Sequence, residues 1–136
     1  MHLTRSFIIK KSQLGSILLH HEDLIQQPLS PYYLLIYSTH SQFTKITVYP
    51  ITTLPVIKLL ITGITITQKI VEDMLSFLQT LHSTILHTSG IVSKKKQYVY
   101  EIFFTGTSDK ICPRVTQKIS EIAGLECEWD TMTYEE

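Results

Sequence analysis

VIKLLIT (56–62), QKIVEDMLSFLQTL (68–81), TILHTSGI (84–91), QYVYEIFFT (97–105), ICPRVTQKISEIAG (111–124) and LECEWDTM (125–132) follow one another in a chain of 136 residues. Their order decides the fold. The first run is apolar apart from Lys58, the pattern of a strand buried on both faces. The second repeats Ile70, Val71, Met74, Leu75, Leu78 and Leu81 at helical spacing, with Gln68, Lys69, Glu72, Asp73 and Gln79 largely opposite. Thr65 and Gln68 have the spacing of a capping box, which predicts the helix start. The third run is a weaker strand because Ser89-Gly90 interrupts it, and the lysines of 94–96 make a charged turn into the fourth. That fourth run, dense in Tyr and Phe, is the strongest strand in the chain. In the fifth, Pro113 reads as a first-turn residue, and the stripe Ile111, Val115, Ile119, Ile122 stops at Gly124. The last alternates Leu125, Cys127 and Trp129 with Glu126, Glu128 and Asp130, a strand wet on one side.

The succession is β-α-β-β-α-β, the split βαβ order of ferredoxin-like units. The expected fold class is therefore α+β: an antiparallel sheet with two helices on one face, plus an N-terminal β-rich extension. In such a sheet the first and third strands are central, and here they are the two most apolar. The fourth strand belongs at an edge, and it carries three acids.

Working outward, residues 1–50 read as the β-rich extension, packing on the core of 56–132. Ser6 to Ile9 is strand-like, 12–15 is a turn, 16–19 is a candidate returning strand, and 20–27 is a short helix or loop ended by Pro28 and Pro31. YYLLIY (32–37) and FTKITVY (43–49) form a hairpin closed by Pro50, and 50–55 is the seam before the core. Residues 133–136 are expected to fray.

Composition bounds the function. With 43% hydrophobic and only 18% charged residues, the chain has the material for a packed core and is not disordered. Its mean hydropathy is +0.11. Twelve basic and twelve acidic residues cancel, so no long-range field gathers polyanions or an acidic membrane, and self-association is favoured. Two cysteines, Cys112 and Cys127, make neither a disulfide scaffold nor a metal spacing. No run reaches the length of a membrane span, and the N-terminus lacks a signal-peptide pattern, so a soluble cytoplasmic protein is expected.

The element order of 56–132 resembles that of ACT domains, small regulatory modules of amino-acid metabolism. The resemblance implies pairing of subunits through their sheets and a small ligand, such as an amino acid, at the interface. The loop after the first strand contributes to that site. Here it reads Thr62-Gly63-Ile64-Thr65, keeping a glycine but not the Asp and Pro common in the family. The implied ligand-binding set is Gly63, Ile64 and Thr65, with Thr88, Ser89 and Gly90 on the neighbouring strand. The RNA-recognition motif shares the element order, and KKKQYVY (94–100) has its basic-aromatic flavour. Glu101 in mid-strand, the absent glycines and the zero net charge make nucleic acid an unlikely partner.

Other constellations carry less. Lys58 and Glu101 are outliers in adjacent apolar strands. They make either a polar spot for a zwitterion or, the favoured reading, a cross-strand ion pair worth about 0.2–1 kcal/mol. Six histidines include no helical i, i+4 pair, and His87 reads as a polar residue on an edge strand. No nucleophile elbow or phosphate loop occurs, so no catalytic residue, metal or cofactor is assigned. Val99 and Phe103 share the face of Glu101 and need cover, from the N-terminal hairpin or from a second subunit. The sequence thus predicts a non-catalytic regulatory or assembly module and a homo-oligomer joined by sheet face or edge. A purely structural interaction module is the alternative.

Overall fold

A computed structural model describes residues 4–13, 30–63, 67–80, 84–92, 97–106, 108–122 and 124–134. The protein is mixed α and β, mostly strand, with two antiparallel sheets in two compact units. One unit is Pro55–Thr131; the other gathers Thr4–Leu54 and the tail from Met132. The candidate returning strand at 16–19 and the segment 20–27 lie outside the described residues.

In the unit that begins at Thr4, β1 (Arg5–Lys10), β2 (Tyr32–Thr39) and β3 (Thr44–Ile51) form a sheet in that order. β2 is central, and Tyr33, Leu34, Leu35 and Ile36 are all buried, which explains its unbroken apolar run. Tyr33 and Leu35 form a small core with Ile9, Tyr37 and Val48. The His40 N–H donates to the Phe43 carbonyl at 2.8 Å, closing the β2–β3 connection, and the two rings stack at 4.5 Å. Pro50 does not close the hairpin: it lies within β3 opposite Tyr33. Its missing N–H is tolerated because β3 is an edge strand. Tyr134, in the tail read as frayed, has its ring 6.2 Å from that of Tyr32 and lies 4.5 Å beneath the Lys10 ammonium.

The second unit runs β4 (Val56–Gly63), α1 (Gln68–Thr80), β5 (Thr84–Val92), β6 (Tyr98–Thr105), α2 (Ser108–Ser120) and β7 (Leu125–Met132). The sheet order is β5-β6-β4-β7, so the two greasiest strands are the inner pair and the acidic β7 is an edge. Ile57, Leu59 and Ile61 of β4 and Ile102 and Phe104 of β6 pack with Met74 and Leu78 of α1 and Ile111, Val115 and Ile119 of α2. Both helices therefore cover the same face. The alternation in β7 fades along its length: Leu125 is buried, Cys127 half-buried, and Trp129 exposed.

Three local details differ from expectation. The N-cap of α1 is Thr67, whose Oγ1 accepts from the Ile70 N–H at 3.2 Å; Thr65 lies outside the described residues. Gln68 instead donates to Glu72 at 3.0 Å. α2 begins at Ser108, which moves Pro113 from the first turn into the second, on the exposed side. α2 ends at Ser120, so Ile122 lies beyond it and Gly124, at φ +83°, sits between helix and β7, where the Leu125 N–H donates to the Ile122 carbonyl at 3.4 Å.

Candidate functional site

The face of the four-stranded sheet opposite the helices carries a compact polar row. Register sets it: Lys58 on β4, Phe103 on β6 and His87 on β5 lie side by side. The next rung is Leu60, Glu101 and Ser89. The Lys58 ammonium meets the Glu101 carboxylate diagonally at 3.1 Å and lies 5.5 Å from the Phe103 ring centre. His87 Nε2 and Ser89 Oγ are 2.9 Å apart, and the His87 ring meets Phe103 edge-on at 5.9 Å.

His87 reaches this face through a β-bulge. Ile85 pairs with Phe104 and His87 with Phe103, leaving Leu86 as the extra residue. A bulge shifts the alternation by one, so that Ile85 packs on the helical core while His87 and Ser89 point the other way. The period-two pattern of the sequence cannot show such a shift.

The ion pair itself corrects one expectation. It exists, but not on an open sheet: Glu101 is fully buried and the Lys58 side chain is 7% exposed. Val99 and Phe103 are buried as well, within the single chain.

The His87–Ser89 contact brings a base to a hydroxyl. Acyl transfer also needs a group to orient the imidazole, and the carboxylate on this face, Glu101, is paired with Lys58. Among the described residues no three His, Cys, Asp or Glu side chains are grouped to hold a metal.

The described members of the ligand-binding set implied by resemblance lie on two strands that are not neighbours. Gly63 ends β4 opposite Tyr98, whereas Thr88, Ser89 and Gly90 lie on β5, with β6 between the two strands. Ile64 and Thr65 lie outside the described residues. A Cβ on Gly63 would collide with Leu125 and come within 2.8 Å of the Gly124 carbonyl, so this glycine lets β4 and the start of β7 approach. Gly90 is covered by the Tyr100 ring. It also lines a groove of about 260 Å3 between the β5–β6 edge and the first turn of α1, with Thr67, Gln68, Val71 and Tyr98. Sequence reasoning missed the helix side of this groove; the polar pair Thr67-Gln68 at the helix start was its signal.

The aromatic residues of β6 answer the RNA question in part. Tyr100 packs on the helical core, so it is not on the sheet face away from the helices, where a base-stacking platform would need it.

Of the two thiols, Cys112 is buried and Cys127 half-buried, and both are free. Burial pushes both above the ordinary thiol range; the nearby Cys127 raises Cys112 further, while a hydrogen bond from Thr116 partly offsets the effect at Cys127. Neither is a ready nucleophile at neutral pH.

An α+β protein with two antiparallel sheets is the class these observations define. No known protein family, curated protein or solved structure matches the chain. Among the described residues no helix is long and apolar enough to cross a membrane.

Proposed function

We propose that the chain is a non-catalytic regulatory module whose 56–132 segment is a ferredoxin-like, ACT-like unit binding a small molecule such as an amino acid. The observation that carries this reading is the groove at Gly90, where two strands meet the first turn of a helix. It has an apolar wall in Val71 and Ile91 and polar atoms from Thr67, Gln68 and Tyr98. The first turn of α1 adds the partial positive charge of its backbone N–H groups, suited to a ligand carboxylate. Strand order β5-β6-β4-β7 and two helices on one face support the kinship.

The test is a thermal-shift panel of amino acids and nucleotides on the full chain, repeated on Thr67→Val. A ligand of this groove stabilises the wild type and loses its effect in the variant. Uniformly null shifts reject sensing.

A second reading, an interaction module that self-associates, is favoured by the exposed Phe7 (52%), Phe43 (59%) and Ile46 (45%) of the three-stranded unit. Burial of Val99 and Phe103 moves the expected homo-oligomer contact from the sheet face to an edge or to this patch. Light scattering at micromolar concentration returning only the 15.7 kDa monomer rejects it.

A further inference from the structure

The β2–β3 hairpin extends past the first paired residue of β1. β1 begins opposite Tyr37, so the end of β2, the connection 40–43 and the start of β3 continue as a two-stranded ribbon. Every residue from 39 to 46 is exposed. The residues that usually fill such a tip are Gly, Asn, Asp and Ser. Here Phe43, at 59%, is the most exposed large apolar side chain among the described residues, and Ile46 follows it at 45%. Phe43 is also held in place. Its carbonyl accepts from the His40 N–H at 2.8 Å, and its ring stacks on the imidazole at 4.5 Å.

Charges balance over the chain but not here. Arg5, Lys10 and Lys45 are the charged residues of β1, β2 and β3, and neither these strands nor 40–43 contain Asp or Glu. Lys45 stands on the ribbon, and Arg5 shares the rung of Tyr37 and Ile46. At about 3.4 Å per strand residue, they lie about 7 and 10 Å behind Phe43.

We propose that the hairpin tip inserts into the surface of an anionic lipid bilayer. Interfacial apolar groups reach about 5–10 Å into the boundary between headgroups and acyl chains. Seating Phe43 there brings Lys45 and Arg5 level with the lipid phosphates. Ile46 and Lys45 alternate onto opposite faces of the ribbon, and Phe43 stands at its end. A folded partner covers one face, whereas a fluid leaflet closes around both. A second copy seated symmetrically on the tip would also bring Arg5 and Lys45 against their own equivalents. The inference goes beyond both readings above: a null ligand panel at Gly90 leaves it standing, and self-association through a strand edge is independent of it.

The full chain is sedimented with vesicles of phosphatidylcholine alone and of phosphatidylcholine with about one-third phosphatidylglycerol. Binding should require the anionic lipid and fade with added salt. Lys45→Gln and Arg5→Gln should each weaken it about fivefold, the worth of one cation near the surface. Phe43→Ser should weaken it about tenfold and leave the melting temperature unchanged, because the side chain is exposed. Phe43→Trp in a Trp129→Phe background should blue-shift on binding and be quenched by lipids brominated high on the acyl chains. Equal binding to both vesicles, binding to neither, or full binding by Phe43→Ser overturns the proposal. Self-association that Phe43→Ser abolishes, without vesicle binding, assigns the tip to a second copy instead. Capture of a single-stranded oligonucleotide in place of vesicles assigns it to nucleic acid.

Discussion

Replacing Lys58 by Met keeps the length and apolar stem of the side chain but removes the charge facing Glu101. At 3.1 Å and an effective dielectric constant of about 20, the lost attraction is about 5 kcal/mol before solvation is considered. The carboxylate left behind is fully buried, and breaking a buried pair from one side costs about 3–5 kcal/mol. Glu101→Leu should cost a similar amount, because the ammonium then loses its counter-charge in a site where only 7% of the side chain is exposed. The double variant K58M/E101L is the informative one. Both ions carried a desolvation penalty of several kcal/mol each, so an apolar pair in their place should restore stability to within about 1 kcal/mol of the wild type, or exceed it. Urea denaturation followed by circular dichroism, on the four proteins of the cycle, measures this. Single variants that lose less than about 1 kcal/mol, or losses that simply add in the double variant, would refute the buried-pair argument.

Further outcomes follow from local geometry and titration. Gly63→Ala should cost about 1–3 kcal/mol by forcing β4 and β7 apart, read as a shift in denaturation midpoint; an unchanged midpoint contradicts the close approach to the Gly124 carbonyl. Thr67→Ala should remove the α1 cap at a cost of about 1 kcal/mol, read as a shift in denaturation midpoint. Raised pKa values at Cys112, Cys127 and Tyr49 mean that the folded chain holds these protons longer than the unfolded one. Their contribution is complete below the unfolded values of 9.0 for the thiols and 10.0 for Tyr49 and is lost as pH rises past them. Melting temperatures measured from pH 7 to 10.5 should therefore fall at the alkaline end, and less steeply in the Cys112→Ala/Cys127→Ala protein. An equal slope removes the thiols from the explanation.

What could be read from the chain was whatever burial alone dictates. β4 and β6 were identifiable because inner strands covered on both faces need apolar residues at every position, and the helical stripes because one side meets a sheet. Lys58 and Glu101 were rightly paired, yet their surroundings were misjudged: alternation says that two residues share a face, not how deeply it lies. Pro50 and Pro113 were misread for a related reason. Proline ends a strand only where its N–H was needed, and β3 is an edge strand; Pro113 sits a turn deeper than expected because α2 begins at Ser108. Thr65 and Thr67 are both good caps in isolation, and only the backbone geometry chose between them. The bulge at Leu86, on which the placement of His87 and Ser89 depends, has no signature in hydrophobic period at all. Gly63 and Gly90 lie on strands separated by β6, as the expected central placement of the first and third strands already required.

The tail bears on how the molecule is made. Because Tyr134 belongs with Tyr32 and Lys10, the chain leaves its first compact unit at Leu54 and returns to it at Met132. The Pro55–Thr131 unit is thus an insert in the thread of the other, and a ribosome finishes the inner body before the outer one can be completed. Tyr134 is the residue through which the last-made stretch rejoins the strands made first, and Tyr134→Ala would loosen that return while leaving the four-stranded layer whole.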